Sequence, residues 1–160
     1  MMLPLLDTEA TDALGRALAQ ARPPPGIVHL QGDLGAGKST LARALLRELG
    51  VTGAIRSPTY TLLERYPLPS GGEAWHLDLY RIAGADELDF LGLDDGGADL
   101  WLVEWPERGG TALPAPDLRI ALAMHGSGRV ADLQAFSAIG VDWLLRLGEL
   151  EELQRFPAAR

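Results

Sequence analysis

Cysteine and asparagine are missing from the chain altogether, and lysine occurs once, at position 38. Without cysteine there is no disulfide, no thiolate nucleophile and no sulfur-held metal, which fits a reducing interior. Long hydrophobic runs are lacking too, and no apolar stretch approaches the roughly 20 residues of a membrane-spanning helix. The start, Met1-Met2-Leu3-Pro4-Leu5-Leu6-Asp7, carries no basic residue, and its apolar stretch is too short for a secretory signal. A cytoplasmic protein with no membrane association is expected. Positive charge is also scarce, the formal net charge being -8. Basic residues on phosphates supply most of the affinity for nucleic acid, so the balance argues against a large nucleic-acid-binding face. It leaves room for a small basic patch, or for nucleic acid reached through a partner.

The chain does hold a well-formed phosphate loop. Gly32-Asp33-Leu34-Gly35-Ala36-Gly37-Lys38-Ser39 matches G-x-x-x-x-G-K-[ST] at every fixed position. The glycines let the backbone curl so that successive N–H groups point at phosphate oxygens. Lys38 would place a compact positive charge between the β- and γ-phosphates. Ser39 would put a hydroxyl on Mg²⁺, and the helix opening there adds its positive N-terminal dipole. Ile27-Val28-His29-Leu30 reads as a buried strand before the loop. Leu41, Ala42, Leu45, Leu46 and Leu49 recur at helical spacing after it, with Gly50 placed to stop the helix. Strand, glycine loop and helix form the context such a motif requires. The only lysine of the chain therefore stands where a point charge serves better than a planar guanidinium.

At 160 residues the chain reads as one domain spanning residues 1–160, with 47% hydrophobic residues to build its core. Asp7 or Thr8 can cap a first helix through Ala10, Leu14, Ala17, Leu18 and Ala21, ended by Pro23-Pro24-Pro25. Thr11 on this helix is a candidate neighbour of the nucleotide, or simply packs. Arg56 to Tyr66 breaks at Ser57-Pro58 and takes on strand character from Thr59 onward. Its hydroxyls, Thr59 and Tyr60 among them, either sense the γ-phosphate or serve β-propensity alone. A turn from Pro67 to Gly72 leads to a strand, Trp75 to Arg81. Alternation puts His76, Asp78 and Tyr80 on one face of it and Trp75, Leu77 and Leu79 on the other. Asp78 there is a candidate for the Mg²⁺ shell or the attacking water, against the plain alternative of a solvated face.

Asp86 to Asp99 carries several carboxylates and no basic residue. A short acidic helix ending near Gly92 is expected, either a solvated face or a site for a basic partner. Leu100-Trp101-Leu102-Val103-Glu104 is the pattern of a buried parallel strand delivering an acid to the sheet edge where the phosphate loop lies. A carboxylate there needs a cation as partner, which makes Glu104 the leading acidic candidate. Trp105 belongs either to the core or to a contact surface. Asp117–Leu122 and Arg129–Leu133 read as a hairpin around Gly126-Ser127-Gly128, with Arg129 a candidate neighbour of the nucleotide. The last element is expected to be a helix from Asp142 to Gln154 with a leucine face.

Four blocks together resemble one family. They are Gly-Asp-Leu-Gly-Ala-Gly-Lys from Gly32, Ser-Pro-Thr-Tyr-Thr-Leu from Ser57, His-Leu-Asp-Leu-Tyr-Arg from His76, and Leu-Val-Glu-Trp-Pro-Glu from Leu102. In this order the chain is similar to TsaE (YjeE), the small ATPase of bacterial tRNA threonylcarbamoyladenosine synthesis. The resemblance implies an α/β, P-loop NTPase-like fold with a central β-sheet of mixed direction flanked by helices. It implies ATP/ADP and Mg²⁺ as cofactors and the TsaD and TsaB proteins as partners, with tRNA engaged only through their complex. Carried residue by residue, Gly35, Ala36, Gly37, Lys38, Ser39 and Thr40 bind nucleotide, and Ser39 and Glu104 hold the metal. Lys38, Asp78 and Glu104 serve hydrolysis, while Thr59, Tyr60 and Trp105 fall on switch or partner positions. Two departures stand out: Ser39-Thr40 where two threonines are frequent, which keeps the metal hydroxyl, and Leu77 where an aromatic is common. A small-molecule P-loop kinase and a nucleotide-gated binding module with negligible turnover are the alternative readings.

Overall fold

The computed structural model describes residues 1–93 and 96–158. A seven-stranded sheet forms its centre, in the order β1-β7-β6-β2-β5-β4-β3. The strands are β1 (Met2–Leu5), β2 (Gly26–Gln31), β3 (Leu63–Pro67), β4 (Glu73–Asp78), β5 (Ala98–Glu104), β6 (Leu118–His125) and β7 (Gly128–Ala135). β6, β2, β5 and β4 run parallel to one another, while β3, β7 and β1 join antiparallel. The sheet is of mixed direction, as the family resemblance implied. Its helices are α1 (Thr8–Ala21), α2 (Lys38–Glu48) and α3 (Ala138–Glu149).

Alternation along the strands divides the interior in two. Ala74 of β4 and Leu100 and Leu102 of β5 join the larger cluster, with Leu14 and Leu18 of α1, Leu41 and Leu45 of α2, and Trp143 of α3. Trp75 and Leu77 of β4 and Val103 of β5 face the other way, into a smaller cluster with Leu79, Leu88 and Leu113. Trp143 also donates its indole N–H to the Leu18 carbonyl, tying α3 to α1 at 3.0 Å. Among the described residues no helix is long and apolar enough to cross a membrane.

Several boundaries differ from the sequence reading. Met2–Leu5, read only as a short apolar start, is a strand paired along β7. The strand expected from Thr59 begins at Leu63, because Pro58 accepts a 2.7 Å bond from the Leu62 N–H and holds the residues between in a turn. The strand expected to reach Arg81 stops at Asp78, whose carboxylate accepts the Tyr80 N–H at 3.0 Å and bends the chain away. Both hairpin strands run further than expected, to a tight turn at Gly126-Ser127. The last helix starts at Ala138 rather than Asp142, since Ser137 caps it by accepting the Gly140 N–H. It ends at Glu149 and a 3-10 turn, Glu151–Arg155, takes over. The acidic segment opens as a 3-10 helix, Ala85–Leu91, stopped at Gly92, and two of its acids, Asp94 and Asp95, lie outside the described residues.

Candidate functional site

Three parallel strands deliver the site. β2 ends at Gln31 and runs into the glycine loop. β5 ends at Glu104, which pairs in register with Leu30 on one side and with Asp78, the last residue of β4, on the other. Both acids therefore arrive at the same level, beside the loop that opens α2. The loop needs its glycines in two distinct ways. A Cβ on Gly32 would run into the Leu122 carbonyl of β6, and Gly37 holds a φ of 105°, which a side chain would strain. Gly37 is also the N-cap of α2 and offers that helix no side-chain bond. The first N–H groups of a helix left uncapped this way form a site for an anion.

Lys38 is the first residue of α2 and is 5% exposed. Its ammonium donates to the Gly32 and Asp33 carbonyls at 2.5 and 2.9 Å and lies 4.6 Å from the centroid of the Trp105 ring. Burial pushes this ammonium below its ordinary pKa, against the opposing pull of Glu104, Asp78, Glu107 and Asp33. Ser39 donates its hydroxyl toward both oxygens of Glu104, at 3.0 and 3.3 Å. Glu104 is only 2% exposed and its Oε2 stands 2.6 Å from His76 Nε2. Asp78 accepts the Thr59 hydroxyl at 3.1 Å, and Thr59 in turn lies 2.8 Å from the Ser57 hydroxyl.

These side chains line a cavity of about 490 Å³ that includes Lys38, Ser39, Thr40, Thr59, Asp78, Glu104 and Trp105. A second, about 380 Å³, opens on the other side of the loop and holds Thr11, Gly35, Gly37, Thr40 and Arg129. Arg129 reaches the loop itself, donating to the Gly35 carbonyl at 3.0 Å. Thr11, Thr40 and Arg129 thus stand beside the loop, and buried Ala36 packs within it. Tyr60 does not line the cavity. It is 81% exposed, and the Arg81 guanidinium lies 4.7 Å from its ring centroid.

Arg81 and Tyr80 border the first cavity and were not singled out from the sequence as site residues. Tyr80 packs against Trp105, centroids 4.9 Å apart, and Arg108 donates to the Tyr80 carbonyl at 2.7 Å. Ser127 and Gly128 border the second cavity, brought there by the pairing of β6 with β2. The closing residues of the His-Leu-Asp-Leu-Tyr-Arg block were a signal for Tyr80 and Arg81. Nothing local marks the hairpin turn as a neighbour of the loop.

The donor set has a definite chemistry. A buried ammonium and a helix start without a side-chain cap suit a polyphosphate, while a hydroxyl paired with a buried carboxylate supplies hard oxygen ligands of the kind Mg²⁺ takes alongside water and phosphate. The residues fit a magnesium nucleotide.

Comparison with known proteins gives the family. The family model described as threonylcarbamoyl adenosine biosynthesis protein TsaE matches residues 5–131. The chain is 40% identical over 116 residues to the Haemophilus influenzae protein named tRNA threonylcarbamoyladenosine biosynthesis protein TsaE, covering 71% of this chain and 73% of that one. A Bacillus subtilis protein of the same name is 35% identical over 126 residues, covering 76% of each. The crystal structure of Bacillus subtilis YdiB superimposes with a TM-score of 0.74 at 26% identity, over 92% of this chain and 93% of that one.

Proposed function

The chain belongs to the TsaE family and has a role in tRNA threonylcarbamoyladenosine biosynthesis, and from that premise we propose that it is a Mg²⁺-dependent ATPase serving TsaD and TsaB partner proteins. The observation that carries the reading is Ser39 held on Glu104 at 3.0 Å, one residue past Lys38, at the start of α2. Lys38 exchanges its bonds to the Gly32 and Asp33 carbonyls for phosphate oxygens. The Ser39 hydroxyl and Glu104 would hold the cation, which would supply charge neutralisation on the phosphates. Asp78, which lines the same cavity and accepts the Thr59 hydroxyl, is the candidate to orient water. Water oxygen bonds to the γ-phosphorus, the bond from that phosphorus to the β,γ-bridging oxygen breaks with its electron pair leaving on ADP, and the water's proton passes to the departing phosphate or to solvent. The partners carry the threonylcarbamoyl chemistry, and tRNA is engaged through their complex.

Phosphate release from ATP and Mg²⁺ tests the hydrolytic half. Lys38→Ala and Glu104→Gln should each lower the rate by at least about 100-fold, the order of effect expected when a charge-stabilising group is removed. Lys38→Arg should not rescue it, because a planar fork does not replace a point charge in this loop. Wild-type rates in Lys38→Ala would refute the assignment. Phosphate appearing on an added acceptor instead of in solution would make the protein a kinase.

A further inference from the structure

Behind the carboxylate that meets Ser39 lies a buried imidazole for which the hydrolytic scheme has no use. His76 stands on β4, 1% exposed, two residues before Asp78. Its Nε2 is 2.6 Å from Glu104 Oε2, while its Nδ1 is buried with no hydrogen-bond partner among the described residues. A carboxylate can only accept, so the ring nitrogen facing it carries the N–H. The carboxylate is thereby held from the core side through Oε2, while Oε1 makes its shorter contact, 3.0 Å, with Ser39 at the cavity.

Stability gives a poor account of this arrangement. A buried polar pair contributes little net stability after desolvation, and this one leaves a ring nitrogen unsatisfied. A carboxylate has no proton to give, so only a donor on its far side can hold it and set which oxygen faces the cation.

We propose that His76 is a positioning residue that pins Glu104 through Oε2, so that the carboxylate meets the cation beside Ser39 in one orientation. The inference rests on Glu104 being a ligand to the cation, as put forward above. Loss of the ring N–H would leave the carboxylate free to turn toward Ser39 with either oxygen, and the cation would meet a site that must first be ordered.

The test is Mn²⁺ binding to the full chain with ADP, read by electron paramagnetic resonance, beside ADP binding without metal. His76→Gln places an amide N–H near the position of Nε2, whereas His76→Asn is too short to reach Glu104 and His76→Leu removes the donor. His76→Asn and His76→Leu should weaken Mn²⁺ binding by about 10-fold or more, in the range seen when a partner of a metal ligand is lost. His76→Gln should keep wild-type affinity, and ADP alone should bind all four proteins equally. If His76→Leu fails to fold, the Asn and Gln pair decides. Unchanged Mn²⁺ affinity in His76→Asn, with Glu104→Gln weakened, would overturn the role of His76 alone. Unchanged affinity in Glu104→Gln would overturn the metal assignment and this inference with it.

Discussion

Lys38 shows how much a single residue can disclose. Its uniqueness in the sequence and its place in the loop pointed to phosphate, and its ammonium lies buried against the loop carbonyls of Gly32 and Asp33. Ser39 and Glu104 were legible for a similar reason, since each stands at a fixed point of a local pattern, a helix start or a strand end. His76 was legible only as one of three polar residues on a face. Its partner Glu104 is 28 residues away, and no local pattern reports a pairing across two strands. His29 on β2 offers a second residue-scale test. Burial pushes its imidazole below its ordinary pKa, opposed by the Pro114 backbone and Glu107. A histidine with a lowered folded-state pKa binds fewer protons folded than unfolded, so its stabilising contribution holds above about pH 6.5 and fades as pH falls toward the lowered value. The urea midpoint should therefore drop between pH 7.5 and 5.5, and His29→Gln should reduce that drop. An equal drop in the variant would show that other groups set the acid response.

At the scale of elements, α1 and α2 were read from their caps and leucine spacing, while β1 and the start of α3 were not. α1 begins at its Asp7 cap, whose side chain accepts the Ala10 N–H at 2.9 Å, and α2 follows the loop as its leucine spacing required. β1 was missed because four residues carry too little periodicity, and pairing with β7 makes them a strand. The start of α3 was placed four residues late because leucines, rather than the cap, were used to locate it. Ser137 in fact accepts the Gly140 N–H at 3.1 Å and donates to Asp117 at 2.7 Å. Asp117 also accepts the Ile27 N–H at 2.8 Å, so one carboxylate ties α3 to the start of β2. Ser137→Ala should cost about 1 kcal/mol, the usual price of an N-cap. Chemical denaturation of the two proteins, compared at constant slope, would measure it. A change within error would mean that neither hydrogen bond of the Ser137 hydroxyl contributes to stability.

For the whole molecule, the sheet gathers one loop and two acids at the carboxyl ends of neighbouring parallel strands, and the order β6-β2-β5-β4 brings them within reach of each other. The order of strands is set by long-range packing, so the sequence could place each strand's chemistry but not its neighbours. The acids of the third block and the fourth were read separately, and the register Asp78 to Glu104 joins them. A net charge of -8 leaves the molecule poorly suited to hold tRNA by its own surface, which is why the proposed function engages tRNA through partner proteins. The central claim is that nucleotide turnover at this site is coupled to those partners. Phosphate release from ATP and Mg²⁺ should be measured for the chain alone and with TsaD and TsaB, taking Lys38→Ala as the blank. The account predicts slow release alone and a sharp rise with the partners, absent in the blank. The same rate with and without them would contradict it.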